Sequence, residues 1–200
     1  MVEALAIVGG YLLGALPFGY WLPLVLHRED IRSQGSGNIG ASNVFRVYGR
    51  RLGVTVALLD MGKGLAAGLL GLWAGGAVVG VLAGAAAMLG HARPVFLGFR
   101  KGGKMVATAG GVTLALAPLA LVCCAALWAA IFVATRYASV ASIVTAVALP
   151  VVVALLGYSW PVIVFGVSGS AAVIFLHRQN IRRLVSGTEH RFELRRPRRA

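Results

Sequence analysis

Acidic side chains are scarce in this 200-residue chain: six Asp and Glu stand against 19 Lys and Arg. Charged residues make up 12% of it, about half the share in a soluble domain, while 58% are hydrophobic and the mean hydropathy is +0.83. This balance excludes an ordinary soluble domain, and it equally excludes a disordered basic tail. Cysteine is limited to the adjacent pair Cys123 and Cys124. Neighbours do not easily meet disulfide geometry and two thiols alone make no metal site, so both read as packing residues. The sequence also lacks a Gly-x-Ser-x-Gly elbow, a metal-ligand spacing and a His-x4-Asp pair. Neither an activated serine nor a metal is expected, and no cofactor.

What is abundant is apolar sequence in long blocks. Leu5–Leu26, Leu52–Trp73, Ala77–Phe99, Met105–Thr135, Ala138–Leu156 and Trp160–Leu176 carry few or no charges. All but the fourth suit the ~17–25 residues of a membrane-crossing helix. Val2–Leu26 is too long for a signal-peptide core and starts with Glu3 rather than a basic residue, so it reads as the first spanning helix. The fourth block has 31 residues and contains Gly110-Gly111 and Pro118, which favours two shorter helices. Basic residues gather in His27–Arg51, in Arg100–Lys104 and after Arg178, whereas the connectors at Gly75-Gly76 and Gly157–Ser159 have none. Basic loops stay on the cytoplasmic side. The pattern predicts an all-α polytopic membrane protein, a compact bundle of about seven transmembrane helices with its N-terminus outside and its C-terminus cytoplasmic. Five crossings plus a re-entrant segment is the alternative. Residues 1–192 read as one domain and 193–200 as a basic cytoplasmic tail, with His190 onward as a solvated extension. Gly62, Gly64, Gly68, Gly71, Gly80, Gly84 and Gly90 have the spacing of close helix packing.

Four polar clusters fall on the same predicted side. Gly35-Ser36-Gly37-Asn38-Ile39-Gly40-Ala41-Ser42-Asn43 precedes Arg46; such a loop can turn its amides around an anion. A helix starting near Ala41, capped by Asn38 or Ser42, would add its positive end, with Arg46 able to fork onto phosphate. Gly102-Gly103-Lys104 is a second candidate anion cradle, although not a Walker loop. His177 and Asn180 share a helical face at the end of the last block, followed by Glu189; an arginine-rich surface helix on anionic lipid is the competing reading. Ser139 and Ser142, one turn apart beside Arg136, form the fourth cluster. Asp60 and Lys63, three apart inside a helix, can pair, and His91 lies where the third helix ends, before Pro94; these three are assigned supporting roles. The residues alone indicate a membrane protein that handles an anionic, phosphorylated ligand at the cytoplasmic surface, with membrane lipid and not nucleic acid as its surroundings.

Read as motifs, Gly35-Ser36-Gly37-Asn38-x-Gly40-Ala41-Ser42-Asn43-x-x-Arg46, Gly90-His91-x-x-Pro94 through Gly102-Gly103-Lys104, and His177-Arg178-x-Asn180 through Gly187-x-Glu189 resemble the bacterial acyl-phosphate-dependent glycerol-3-phosphate acyltransferases, the Y-type enzymes. Asp60-x-x-Lys63-Gly64 and Arg136-Tyr137-x-Ser139-x-x-Ser142 fit as well. The resemblance implies a seven-helix bacterial inner-membrane enzyme with a cytoplasmic active site. It implies transfer of an acyl group from acyl phosphate to the 1-hydroxyl of sn-glycerol 3-phosphate, giving lysophosphatidic acid and phosphate in the first acylation of phospholipid synthesis. The enzyme that makes acyl phosphate is then a candidate partner. Ser36, Arg46, Lys104, His177 and Asn180 are the expected catalytic residues. Gly37, Asn38, Gly40, Ser42, Asn43, Gly102, Gly103, Ser139, Ser142 and Glu189 are expected to hold substrate phosphate. Met105 departs from the pattern, since the family usually has glycine after the lysine. A small transporter for a phosphorylated metabolite is the competing function, and a CDP-alcohol phosphotransferase is disfavoured because its metal-binding aspartates are missing.

Overall fold

The computed structural model describes residues 1–192, and every regular element among them is helical. The chain runs α1 (Val2–Ala15), α2 (Phe18–His27), α3 (Ala41–Tyr48), α4 (Arg50–Ala92), α5 (Val106–Leu116), α6 (Pro118–Thr135), α7 (Ala138–Leu155), α8 (Trp160–Leu176) and α9 (Arg178–Val185). By length and composition, four stretches can cross a bilayer: Val2–His27, Arg50–Leu97, Pro118–Thr135 and Ala138–Leu155. A fifth joins α8 to α9 across a 56° bend.

Two of these stretches contain breaks with clear causes. Pro17 interrupts the first, so the Leu16 carbonyl loses its helical partner. Lys63 Nζ, 2.8 Å away, satisfies it from α4. In α4, Gly76 takes φ 70° and the helix folds back: a Cβ on Gly71 would approach the Val79 carbonyl. α4 is therefore two antiparallel legs, and glycine is needed at 76 for the positive φ. Glu3 lies beside this turn, within 3.2 Å of where a Gly75 Cβ would sit. The chain start and the Gly75-Gly76 connector thus share one end of the bundle.

The long block after Lys104 divides at Ala117, with Pro118 opening α6. Lys104 just before α5 and Phe132 near the end of α6 line the same cavity, so the chain doubles back here. α5 has 11 residues, about 16 Å of helix, half the ~30 Å apolar core of a bilayer.

Small residues hold the layers together. Gly10 and Gly14 of α1 meet the backbone of Ala83 and Ala87, and Gly64 and Gly84 of α4 meet Thr108 and Val112 of α5. In lipid such close approach gives van der Waals contact where no hydrophobic drive exists. Gly62 differs from expectation: nothing lies within 4 Å of its would-be side chain.

Candidate active site

The loop from Gln34 to Gly40 is organised by two buried asparagines. Asn43 Oδ1 accepts from the Ser36 N–H at 2.9 Å, while its Nδ2 donates to the carbonyls of Gln34 and Asn38. Asn38 Oδ1 accepts from the Gly40 N–H, and its Nδ2 donates to the Gly102 carbonyl at 3.1 Å. Both amides are thus committed to the loop rather than left for a ligand, and they fasten the first motif to the second. α3 does begin at Ala41, but its N-cap is Gly40 with no side-chain cap. The uncapped end lies at a cavity that Gly40, Ala41 and Ser42 help to line.

The diglycine is likewise not an open cradle. The Gly102 N–H donates to the Ala92 carbonyl and the Gly103 N–H to the His91 carbonyl, at 2.9 and 3.0 Å. A side chain at either position would collide with the end of α4, and at Gly103 with the His91 ring itself. Glycine is present because the loop lies flat on that helix end. This fixes Lys104, whose Nζ donates to Asn180 Oδ1 at 2.6 Å. Burial pulls the Lys104 pKa down to about 8; Glu189 opposes that shift, while Arg183, Lys101 and Arg46 add to it. Met105 follows at φ 70°, in the left-handed region, with its side chain buried.

Glu189 is the hub of the third cluster. Its Oε1 accepts from Ser139 Oγ at 2.8 Å and from Asn180 Nδ2 at 2.6 Å, and its Oε2 accepts from Arg183 Nε at 2.7 Å. Burial works to raise the Glu189 pKa, but these donors outweigh it and hold the carboxyl below its usual range. A carboxylate so engaged repels phosphate; its arrangement suits positioning Asn180, Arg183 and Ser139. His177, 4% exposed, has Nδ1 2.8 Å from the Val173 carbonyl. A carbonyl only accepts, so Nδ1 carries the proton and the neutral ring leaves Nε2 as an acceptor.

These groups share one cavity of about 560 Å³. Ser36, Asn38, Gly40, Ser42, Asn43, Arg46, Lys104, Ser139, Ser142, His177, Asn180 and Glu189 all line it, as do Asp60 and His91. Gly37, Gly102, Gly103 and Lys63 are not among the lining residues. Arg136 is exposed and away from the cavity, although its carbonyl holds the chain after Glu189. From the polar end the cavity continues between apolar walls that include Ala57, Met61, Leu121, Trp128, Leu149 and Val173. Asp60 and Lys63 pair at 2.8 Å, and Lys63 Nζ lies 2.9 Å from His91 Nδ1, behind the loop that carries Lys104.

A family model described as glycerol-3-phosphate acyltransferase matches residues 4–187. The chain belongs to that family. The glycerol-3-phosphate acyltransferase of Geotalea daltonii is 45% identical over 192 residues, covering 96% of this chain and 98% of the relative. That of Desulforudis audaxviator is 44% identical over 185 residues, 92% and 93% of the two chains. A crystal structure of PlsY (YgiH), described as an integral membrane glycerol 3-phosphate acyltransferase in its glycerol 3-phosphate form, superposes with a TM-score of 0.92 at 39% identity over 96% of both chains. Its lysophosphatidic acid form gives 0.89 at 37% identity, again over 96% of both chains. As a member of this acyltransferase family the chain is an enzyme and a multi-pass membrane protein, built as an all-helical bundle.

One part of the site of this acyltransferase was not legible in the sequence. His190 and Phe192, expected in a solvated extension, both line the cavity, and Phe192 is 9% exposed. A single aromatic residue among charged ones, three places after Glu189, is the only signal the sequence offered. Residues 193–200 lie outside the described part of the chain.

Proposed function

We propose that the cavity transfers a fatty acyl group from an acyl phosphate to the 1-hydroxyl of sn-glycerol 3-phosphate, releasing lysophosphatidic acid and phosphate. The observation that carries this reading is the pairing of a cationic polar end with an apolar extension in one cavity. Such a shape suits a donor that has a phosphate head and an acyl tail. The acceptor and product match the glycerol 3-phosphate and lysophosphatidic acid forms of the related PlsY structures.

The donor is a mixed anhydride whose leaving group is phosphate, so the site's task is to hold two anions and align a hydroxyl with a carbonyl carbon. Arg46, Lys104 and the uncapped start of α3 supply cationic and donor groups for the phosphates. Ser36 and Ser42 offer hydroxyls beside them, whereas Ser142 Oγ donates to the Ala138 carbonyl and accepts from Trp128 Nε1. The acceptor hydroxyl attacks the carbonyl carbon, the carbon–oxygen bond to phosphate breaks, and phosphate leaves. The hydroxyl proton passes to His177 Nε2 or to a donor phosphate oxygen. Asn180 and Glu189 position the cations rather than react. Direct transfer requires no acyl-enzyme.

Topology follows from charge. The segments rich in Arg and Lys supply Arg46, Lys104 and Arg183 to the cavity lining, whereas Glu3 and Gly75-Gly76 lie together away from it. This supports a cytoplasmic site in the bacterial inner membrane, with seven legs once α4 is counted as two and α5 and α6 separately, the leg of α5 including the Gly102-Gly103 segment that packs on the end of α4. The enzyme that makes acyl phosphate would then deliver its product from the same side.

The test uses purified protein in detergent with acyl phosphate, with and without glycerol 3-phosphate. The expected result is lysophosphatidic acid and phosphate in equal amounts, dependent on the acceptor. Transfer from acyl-coenzyme A but not from acyl phosphate would overturn the donor assignment.

A further inference from the structure

The segment after Glu189 returns to the bundle. The Phe192 N–H donates to the Arg136 carbonyl at 2.9 Å, a group that the left-handed Arg136, φ 63°, turns out of the end of α6. The ring is enclosed edge-on by Phe45 at 5.4 Å and by Phe132 at 5.2 Å. Arg46 Cζ lies 4.9 Å from the centre of the Phe192 ring, while Arg46 Nε is buried with no hydrogen-bond partner among the described residues. The principal cation of the first motif is therefore oriented by an aromatic face instead of a carboxylate. A guanidinium held against a ring keeps its N–H groups free for an incoming anion.

We propose that Phe192 is a positioning and sealing residue of the acyl-transfer site, fixing Arg46 for an anion and closing the polar end against water. The inference rests on the reading of the cavity as an acyl-phosphate site. Such a donor reacts with water as it does with an alcohol. A water oxygen bonds to the carbonyl carbon, the carbon–oxygen bond to phosphate breaks, and a fatty acid, phosphate and a proton are released. A transferase with this donor gains product only where water is kept out of the site. The aromatic plug formed by Phe45, Phe132 and Phe192 stands beside the arginine where that exclusion is needed.

The experiment compares Phe192→Ala, Phe192→Leu and Phe192→Tyr in the full-length purified enzyme. Two quantities are read: the share of acyl phosphate ending as free fatty acid, and KM for glycerol 3-phosphate. Phe192→Ala should raise the hydrolysed share and increase KM about 3- to 30-fold, the worth of a cation–ring contact. Phe192→Leu keeps an apolar plug without a ring, so it should return the hydrolysed share toward wild type but leave KM raised. Phe192→Tyr should restore both. A merely structural role would lower the melting temperature and kcat without moving the partition between acid and lysophosphatidic acid. An unchanged partition and KM in Phe192→Ala would overturn the proposal. If that variant does not fold, equal KM values for the Leu and Tyr variants would overturn it. Wild-type enzyme that makes no lysophosphatidic acid from acyl phosphate would instead refute the underlying reading.

Discussion

Lys104 and Glu189, from opposite ends of the chain's second half, are joined through Asn180: Lys104 Nζ donates to Asn180 Oδ1 and Asn180 Nδ2 donates to Glu189 Oε1, each at 2.6 Å. The side-chain amide accepts on one side and donates on the other, which a carboxylate cannot do. Asn180→Asp loses the donor, sets a second carboxylate against Glu189 and pairs directly with Lys104. We predict that kcat/KM falls about 10- to 150-fold, the cost of a hydrogen bond to a charged group. Full activity in Asn180→Asp would show that the bridge does not matter.

Lys104 also sets a pH limit. With its pKa drawn down to about 8, chiefly by burial, it loses its charge as pH rises through that value. The free enzyme's kcat/KM should therefore fall above pH 8, and Lys104→Arg should move the fall upward beyond the range of lysine titration. The stability contribution has the opposite sign. Between about 8 and the ordinary lysine value the unfolded chain binds more protons, so folding stability from this group rises with pH. A pH–rate profile identical in wild type and Lys104→Arg would remove Lys104 from the explanation.

The buried pair behind the site should matter for folding. Lys63→Met leaves the Asp60 carboxylate and the Leu16 carbonyl without their partner among apolar helices. Removing one partner of a buried ion pair costs about 3–5 kcal/mol, whereas removing both costs less. Thermal unfolding in detergent should place Asp60→Leu/Lys63→Met above Lys63→Met in stability. The reverse order would mean that the Asp60 carboxylate keeps a partner without Lys63, His91 Nδ1 at 3.6 Å being the nearest.

Membrane orientation can be read by labelling. In a background with Cys123 and Cys124 replaced by serine, Lys101→Cys and Ser33→Cys should react with an impermeant thiol reagent only in inverted membranes. Ser159→Cys should react in intact cells. All three positions are exposed, so access and not burial decides the result. Labelling of Lys101→Cys in intact cells would reverse the orientation.

Much of this protein can be read from its sequence because lipid imposes a strong rule. Every backbone polar group in the apolar core must be paired, so long uncharged blocks become helices and glycine pairs or proline mark their ends. The breaks at Gly75-Gly76 and Pro118 were visible for that reason, and the four polar clusters do meet in one cavity. What stayed hidden depends on pairings distant in sequence. Gly102 and Gly103 look like an anion cradle until the carbonyls of His91 and Ala92 are seen to occupy their N–H groups. Asn38 and Asn43 look like ligands until their partners prove to be loop backbone. Phe192 carries no local pattern, because its partners Phe45 and Phe132 lie on α3 and α6. At Met105 the backbone is left-handed, a conformation open to glycine and strained by about 1–2 kcal/mol for methionine, which burial of the side chain offsets.

The central claim is direct attack of an alcohol on acyl phosphate with no covalent enzyme intermediate. The structure gives Ser36 a backbone hydrogen bond to Asn43, and the His177 nitrogen whose partner is seen bonds to the Val173 carbonyl rather than to a serine. An unactivated hydroxyl is a weak nucleophile. The most direct measurement is incubation of the enzyme with radiolabelled acyl phosphate in the absence of glycerol 3-phosphate, followed by denaturation and counting of protein-bound label. The account predicts none above background, and a Ser36→Ala variant that still transfers acyl groups with a raised KM. Near-stoichiometric label on Ser36 that passes to glycerol 3-phosphate on its addition would contradict it.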